Sequence, residues 1–278
     1  TDEQHRFGVK QRQKMQEKSP FAHHLMMSAT PIPRTMSMML HKNIDVSNLY
    51  SMPEGRIPIQ TKLLSDKKRR EAYGHLKEEI QKGHQGYIVF PLIEESEVLG
   101  AHSLEESIEE LSEIFPKEVA FLHGKMNSEE KARIISDFEH KKYHILAATT
   151  LIEVGINVPD ATIMIIRSAG RFGLSQIHQI RGRIGRSHLA SWCYLCYDEA
   201  QPPERLEVLE KESSGFKIAE EDLRLRGPGE ISGVKQSGLY SFTHADIYRH
   251  EEILEKVSKL LDANVLKRYK GRLERLTL

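Results

Sequence analysis

The chain has 278 residues, 39% hydrophobic and 29% charged, enough apolar mass for one large or two medium domains with real cores. Its 40 basic and 40 acidic residues cancel, which excludes a global positive field, so a nucleic-acid surface must be a local patch. No run of 18 apolar residues and no leader pattern occurs, so neither a membrane span nor export is expected, and two cysteines fit the reducing cytoplasm.

Residues 1–18 are polar and charged and open on Asp2-Glu3-Gln4-His5. His23–Met27 reads as a short apolar strand that ends at Ser28-Ala29-Thr30-Pro31, and residues 34–41 have helical character. Met52-Pro53-Glu54-Gly55-Arg56-Ile57-Pro58 is a linker, and a domain boundary is placed there.

From 59 to 198 strands and helices alternate. Ile59–Leu64 is a strand; Asp66 is placed to cap a helix running to about Gln81, ended by Gly83. Gly86–Ile93 is a buried strand. Ser103–Phe115 is an amphipathic helix stopped by Pro116, and Val119–Leu122 is a strand leading into His123-Gly124-Lys125. Asn127 and Glu130 have the spacing of a capping box for a helix to about Lys141. Strands follow at His144–Ala148 and Thr162–Ile166, then a helix over Leu174–Arg186 and a closing strand at Trp192–Tyr197. This alternation predicts an α/β fold, a parallel sheet covered by helices on both faces. Beyond 198, Pro203–Ser213 and Phe216–Arg226 read as two short helices, followed by a glycine-rich loop from Gly227 to Gly238 and a charged helical region over 245–276.

Cys193 and Cys196 have C-x-x-C spacing. They fall on a strand, where positions three apart face opposite sides, and no second pair completes a metal site.

The octet Gln179-Ile-Arg-Gly-Arg-Ile-Gly-Arg186 carries the most chemistry. On a continuous helix Gln179, Arg183 and Arg186 share one face. Two guanidinium forks and an amide on one face suit a polyphosphate, and arginine stabilises charge that builds on a transferred phosphoryl group. By itself the octet also fits a solvated basic face.

Open parallel sheets bind ligands beyond the carboxyl ends of their strands. Thr149-Thr150 follows one strand, and His123-Gly124-Lys125 follows another, just before a helix N-terminus suited to phosphate. The octet follows a third by one loop. Asp2 and Glu3 supply adjacent carboxylates of the kind that hold magnesium or orient an attacking water.

Asp-Glu-Gln-His, Ser-Ala-Thr and Gln-x-x-Gly-Arg-x-x-Arg, in this order, resemble three motifs of superfamily 2 helicases. Asp2-Glu-Gln-His-Arg-Phe-Gly8, Ser28-Ala-Thr-Pro-Ile-Pro-Arg-Thr35 and Arg171-Phe-Gly-Leu-Ser-Gln-Ile-His-Gln179 are similar to the RecG family of branched-DNA helicases, from residue 2 to about 240. The resemblance implies two RecA-like lobes with ATP between them, here as a remnant of lobe one (1–56), lobe two (57–198), and a helical hairpin, loop and C-terminal helices (199–278). It implies that Asp2 holds Mg2+ through water and that Glu3 is the catalytic base. Ser28 and Thr30 would couple the nucleotide site to DNA, Gly155 and Asn157 would approach the ribose, and Gln179, Arg183 and Arg186 would reach the phosphates. His123, Gly124, Lys125, Thr149 and Thr150 would touch the DNA backbone. Arg205, Arg226 and Gln236 match an element that converts lobe closure into movement along duplex DNA. The partners implied are forks and junctions.

Several positions depart from the family pattern. No G-x-x-x-x-G-K-[S/T] phosphate loop occurs. The chain is therefore expected to be a C-terminal piece, inactive alone and separated from the upstream wedge and phosphate-loop segments. Leu25–Met27 and the Met36, Met38, Met39 and Leu40 cluster would then lack cover and favour self-association. Asn157 stands where an aspartate is usual. Arg167 and Gly170 stand where acidic residues are common, an exchange expected to make the surroundings of Arg171 more positive. Two alternatives remain from the sequence, a non-catalytic nucleic-acid-binding module and a translocase of the transcription-repair coupling type.

Overall fold

The computed structural model describes residues 18, 22–25, 27–28, 47–51, 55–91, 97–124, 126–149, 158–226, 253 and 256, with 97–105, 223 and 226 as backbone alone. The chain forms two compact units, Tyr50–Ile218 and the segments Thr1–Leu49 with Ala219–Leu278.

In the first unit the elements run β1 (Gln60–Ser65), α1 (Arg69–Gln81), β2 (Gln85–Phe90), α2 (Glu97–Ile114), β3 (Val119–Leu122), α3 (Ser128–Glu139), β4 (Ile145–Thr149), β5 (Ala161–Ile166), α4 (Leu174–Arg181), β6 (Trp192–Tyr197) and α5 (Glu204–Lys211), and α6 (Gly215–Arg226) begins there, its residues from Ala219 on belonging to the second unit. The strands form one six-stranded sheet in the order β1-β6-β5-β2-β4-β3, and every adjacent pair is parallel. β2, β4 and β5 are buried along their whole length, which is why they read as unbroken apolar runs rather than alternating ones.

The period-two alternation sends side chains to two packed faces. Ile88, Phe90, Ile145, Ala147, Ile163, Ile165 and Cys196 meet Ala72, Tyr73 and Leu76 of α1 and Leu111 of α2. On the opposite face the Tyr87 ring lies 5.3 Å from that of Phe138 on α3. Cys193, facing away from Cys196, lies near Arg181 of α4, whose charge offsets part of the burial that pushes this thiol up to about 12. Each large side chain so buried contributes about 1.5–3 kcal/mol.

Local signals act where expected at α3. The Asn127 side chain accepts from Glu130 N at 2.9 Å, and the Glu130 carboxylate accepts from Asn127 N at 3.2 Å. Gly83 ends α1, its N–H donating to Ile80 O at 2.8 Å. Pro91 follows β2, and a residue without an N–H cannot extend the ladder. Asp66 is not a helix cap. A 3-10 turn, Asp66–Lys68, precedes α1, and no side chain caps it. The Asp66 carboxylate is taken instead by the Arg167 fork, Nε at 2.6 Å and Nη2 at 3.1 Å.

In the second unit Lys18, Ile253 and Lys256 are helical. The described residues between 22 and 28 contain no strand, contrary to the expectation for His23–Met27. Leu25 is 72% and Met27 49% exposed. The Met36–Leu40 cluster lies outside the described residues. Among the described residues no helix is long and apolar enough to cross a membrane.

Candidate nucleotide and nucleic-acid site

The sheet separates the predicted site residues into two groups at opposite ends. At the carboxyl end, β3 stops at Leu122 and β4 at Thr149, and Leu122 is level with Ala148. The chain therefore leaves the sheet at His123 and Thr149 side by side. Both line a shallow cleft, with Phe90, Ile108 and Phe121 as its apolar walls. Among the described residues the Thr149 hydroxyl is buried with no hydrogen-bond partner. Gly124 offers its carbonyl to Lys131 Nζ at 3.1 Å.

The nearby helix N-terminus is not the phosphate site expected. Asn127 and Glu130 close it with their reciprocal bonds, and Glu129 and Glu130 put two acidic side chains in its first turn. These charges satisfy the terminus and repel an anion.

The octet lies at the other end. α4 starts near the carboxyl edge but runs back across the sheet and stops at Arg181, with Gly182 as its cap. Gln179, Arg183 and Arg186 therefore do not share one helix face. Gln179 sits on the last turn, Arg183 lies on the turn that follows, and Arg186 lies in the loop beyond it. Gly182 N donates to His178 O and Arg183 N to Ile180 O, both at 3.0 Å. Ile184 is fully buried and pins the loop between the arginines.

Gly185 has φ +66°, and a Cβ there would lie 2.7 Å from Ile59 Cγ1. Only glycine combines this conformation with so close an approach. Ile59 precedes β1, so the loop rests at the amino-terminal edge of the sheet.

Three guanidinium groups gather there. Arg56 Nε donates to Gly185 O at 2.8 Å. Arg186 Nε donates to Gly182 O at 3.1 Å. Burial first, then the like charges of Arg183 and Arg56, hold Arg186 below its ordinary value, against the opposing influence of Tyr87. Burial pushes the Tyr87 phenol upward, and the charges of Arg186 and Arg183 oppose that shift; among the described residues its buried hydroxyl has no hydrogen-bond partner. A polyphosphate suits such a group of guanidinium charges. Arg56 was hidden in the sequence inside the linker, and no local pattern points to it.

Arg181, in the middle of the octet, has a different task. It is buried, donating through Nη1 to Thr61 Oγ1 at 3.0 Å and Leu209 O at 2.8 Å. Its Nη2 donates to His178 Nδ1 at 3.0 Å and Glu212 O at 3.2 Å. It ties α4 to β1 and to the C-terminal end of α5. The sequence held this signal, because Leu174, Ile177 and Arg181 fall at i, i+3 and i+7 on the apolar stripe.

Arg167 and Arg69 share Asp66 and Glu110, two cations with two anions. A Cβ on Gly170 would lie 2.7 Å from Glu199 Oε1, so a carboxylate from the chain beyond β6 stands beside that position.

Arg205 and Ser28 are exposed, and Arg226 is described as helical backbone. Asp2, Glu3, Thr30, Lys125, Thr150, Gly155, Asn157 and Gln236 lie outside the described residues.

Residues 68–188 match the family model of the helicase conserved C-terminal domain. Residues 212–271 match that of the ATP-dependent DNA helicase RecG, domain 3, C-terminal. The chain is 46% identical over 260 residues to the ATP-dependent DNA helicase RecG of Aquifex aeolicus, a match that covers 90% of this chain and 33% of that protein. It is 47% identical over 257 residues to the same helicase of Synechocystis, covering 91% of this chain and 31% of that protein. The chain belongs to the RecG family. It spans about a third of the length of these relatives. A solved structure of RecG bound to a three-way DNA junction superimposes with a TM-score of 0.69 at 41% identity, over 91% of this chain and 33% of that one. A Mycobacterium smegmatis Lhr helicase structure, 14% identical over 81% of this chain and 30% of that one, with a TM-score of 0.51, supports the fold alone.

Proposed function

We propose that this chain supplies the second motor lobe and the coupling element of an ATP-dependent translocase that remodels branched duplex DNA, replication forks and Holliday junctions, in recombination and repair. The observation that carries the reading is the loop after α4, which sets Arg183 and Arg186 on either side of the buried Ile184. Two guanidinium groups anchored in this way meet a developing phosphoryl charge without reorganising. ATP, when bound, supplies the phosphoryl group whose transfer to water drives movement.

In this reading Arg183 and Arg186 act as fingers and Gln179 orients the phosphates. Asp2 holds Mg2+, Glu3 is the general base, and Gly155 and Asn157 meet the ribose. The opposite edge is the DNA face, where His123, Gly124, Lys125, Thr149 and Thr150 grip backbone phosphates without reading sequence. Ser28 and Thr30 couple the two sites. Arg205, Arg226 and Gln236 turn lobe closure into a step along the duplex. The lobe spans 57–198, preceded by part of the first lobe and followed by the coupling element.

The test is steady-state ATPase with and without a three-way DNA junction. It compares the 278-residue chain with a version extended upstream through a G-x-x-x-x-G-K-[S/T] loop. Turnover is expected only in the extended version and is lost in Arg183→Ala. Turnover by the shorter chain, or an Arg183→Ala variant as active as its parent, overturns the reading.

A further inference from the structure

We propose that Arg56 is a third phosphate-binding arginine of this lobe, anchored through Nε on the Gly185 carbonyl so that its terminal nitrogens face the same polyphosphate as Arg183 and Arg186. The inference rests on the arginine-finger reading above and adds a residue from outside the octet.

Three observations carry it. The first is the anchor. Arg56 Nε donates to Gly185 O at 2.8 Å across 129 positions of sequence, which ties the side chain to the residue directly before Arg186. Among the described residues the Nη1 and Nη2 groups of Arg56 have no hydrogen-bond or ion-pair partner. A guanidinium held by one nitrogen keeps a planar fork for bidentate contact with an oxyanion.

The second is the way the two segments are clasped. His188 Nδ1 donates to Gly55 O at 3.1 Å. Gly55 has φ +79°, and a Cβ there would lie 2.8 Å from the His188 ring. Gly55 and Gly185 thus face each other's loops, each in a left-handed conformation that permits close approach. The clasp fixes where Arg56 can reach.

The third is charge. Arg56 and Arg183 both act on Arg186 as like charges in a partly buried setting. A purely structural bond to a carbonyl needs a donor but no cation. The neutral amide of glutamine would serve, whereas a third guanidinium beside two others adds a charge that suits a polyanion.

The experiment titrates sodium tripolyphosphate, a probe with no base or ribose, into the 278-residue chain at low ionic strength, read by phosphorus NMR and calorimetry. Wild type, Arg183→Ala, Arg56→Ala and Arg56→Gln are compared, with thermal melts as the folding control. Arg56→Gln keeps a donor for Gly185 O and removes the charge. Losing one charge-assisted contact is expected to weaken binding about tenfold, in Arg56→Ala and Arg56→Gln alike and with a wild-type melt in the latter. Wild-type affinity in Arg56→Gln, with Arg183→Ala impaired, overturns this inference and leaves the finger reading standing. A wild-type chain that does not bind tripolyphosphate, or binds it as well in Arg183→Ala, overturns both.

Discussion

Arg181 donates to His178 Nδ1 at 3.0 Å, and this bond fixes the proton on the imidazole. A ring whose Nδ1 accepts from a cation must carry its proton on Nε2 and stay neutral. Burial, and then the Arg181 charge, lower the His178 pKa from 6.5 to about 4. The neutral form is therefore the folded form. This contribution is complete above pH 6.5 and is lost as pH falls from 6.5 toward 4, because the unfolded chain takes up the proton first. Stability is expected to fall by up to about 1.4 kcal/mol per pH unit through that window from this group. Urea denaturation at pH 7.5 and 5 checks it, with His178→Gln predicted to flatten the difference; an unchanged slope would count against the assignment.

Arg181 and Arg183 stand two residues apart in one motif and should separate cleanly on mutation. Arg181→Ala strands the carbonyls of Leu209 and Glu212 and removes the tie to Thr61. Each buried group left unsatisfied costs about 1–3 kcal/mol, so a total loss of about 3 kcal/mol is expected. Arg183→Ala is expected to cost about 1 kcal/mol or less and to abolish polyphosphate binding instead. Paired denaturation and tripolyphosphate titrations distinguish them. Equal destabilisation by the two substitutions would show that the octet is structural throughout.

The strand and helix alternation, the Asn127–Glu130 box and the opposed faces of Cys193 and Cys196 were legible in the sequence because each is set by neighbours within a few positions. What was misread depended on partners far away or on a competing local signal. Asp66 precedes a helix and has a capping side chain, yet its partner, Arg167, lies 101 positions on. The octet continues the apolar spacing of α4 through Ile184, which invites a longer helix, but Gly182 and Gly185 end it. Arg56 has no local pattern, and only the fold brings it to Gly185. The edges of the sheet were confused for the same reason, since a helix that follows a strand carries its end back to the opposite side.

The Asp66–Arg167 pair gives a third expectation. Both side chains are largely buried, and the contact is bidentate. Tyr73 Oη accepts a further bond from Arg167 at 2.8 Å. Asp66→Ala leaves the guanidinium with a hydroxyl and the more distant Glu110 carboxylate, 3.6 Å away. Removing one member of a buried pair costs about 3–5 kcal/mol, and Glu110 should hold the loss to the lower end. A double-mutant cycle with Arg167→Met is the measurement, and the double variant should recover part of the loss. Strict additivity would mean that the two charges do not interact.

Cys193 and Cys196 are fully buried, and burial pushes both thiols up to about 12. The thiolate is the reactive species, so the native chain should give almost no reaction with a disulfide reagent at pH 8. Both thiols should titrate once the chain is unfolded in guanidinium. Fast labelling of the native protein would show that β6 is not the interior strand described.

Gly185 offers the sharpest test of how the arginine loop is built. Alanine there must hold φ near +66°, which costs an L-residue about 1–2 kcal/mol, and must place its Cβ 2.7 Å from Ile59 Cγ1. The loop can relieve the clash only by lifting, which draws Gly185 O from Arg56 Nε and moves Arg186. Gly185→Ala is therefore expected to lose stability and polyphosphate affinity together. Ile59→Ala removes the atoms in the way but not the backbone strain. In the double variant affinity should return further than stability, because the loop can settle while the left-handed alanine remains. If stability returns in full, steric contact with Ile59 was the whole effect. If neither returns, the backbone conformation at Gly185 holds the arginine loop.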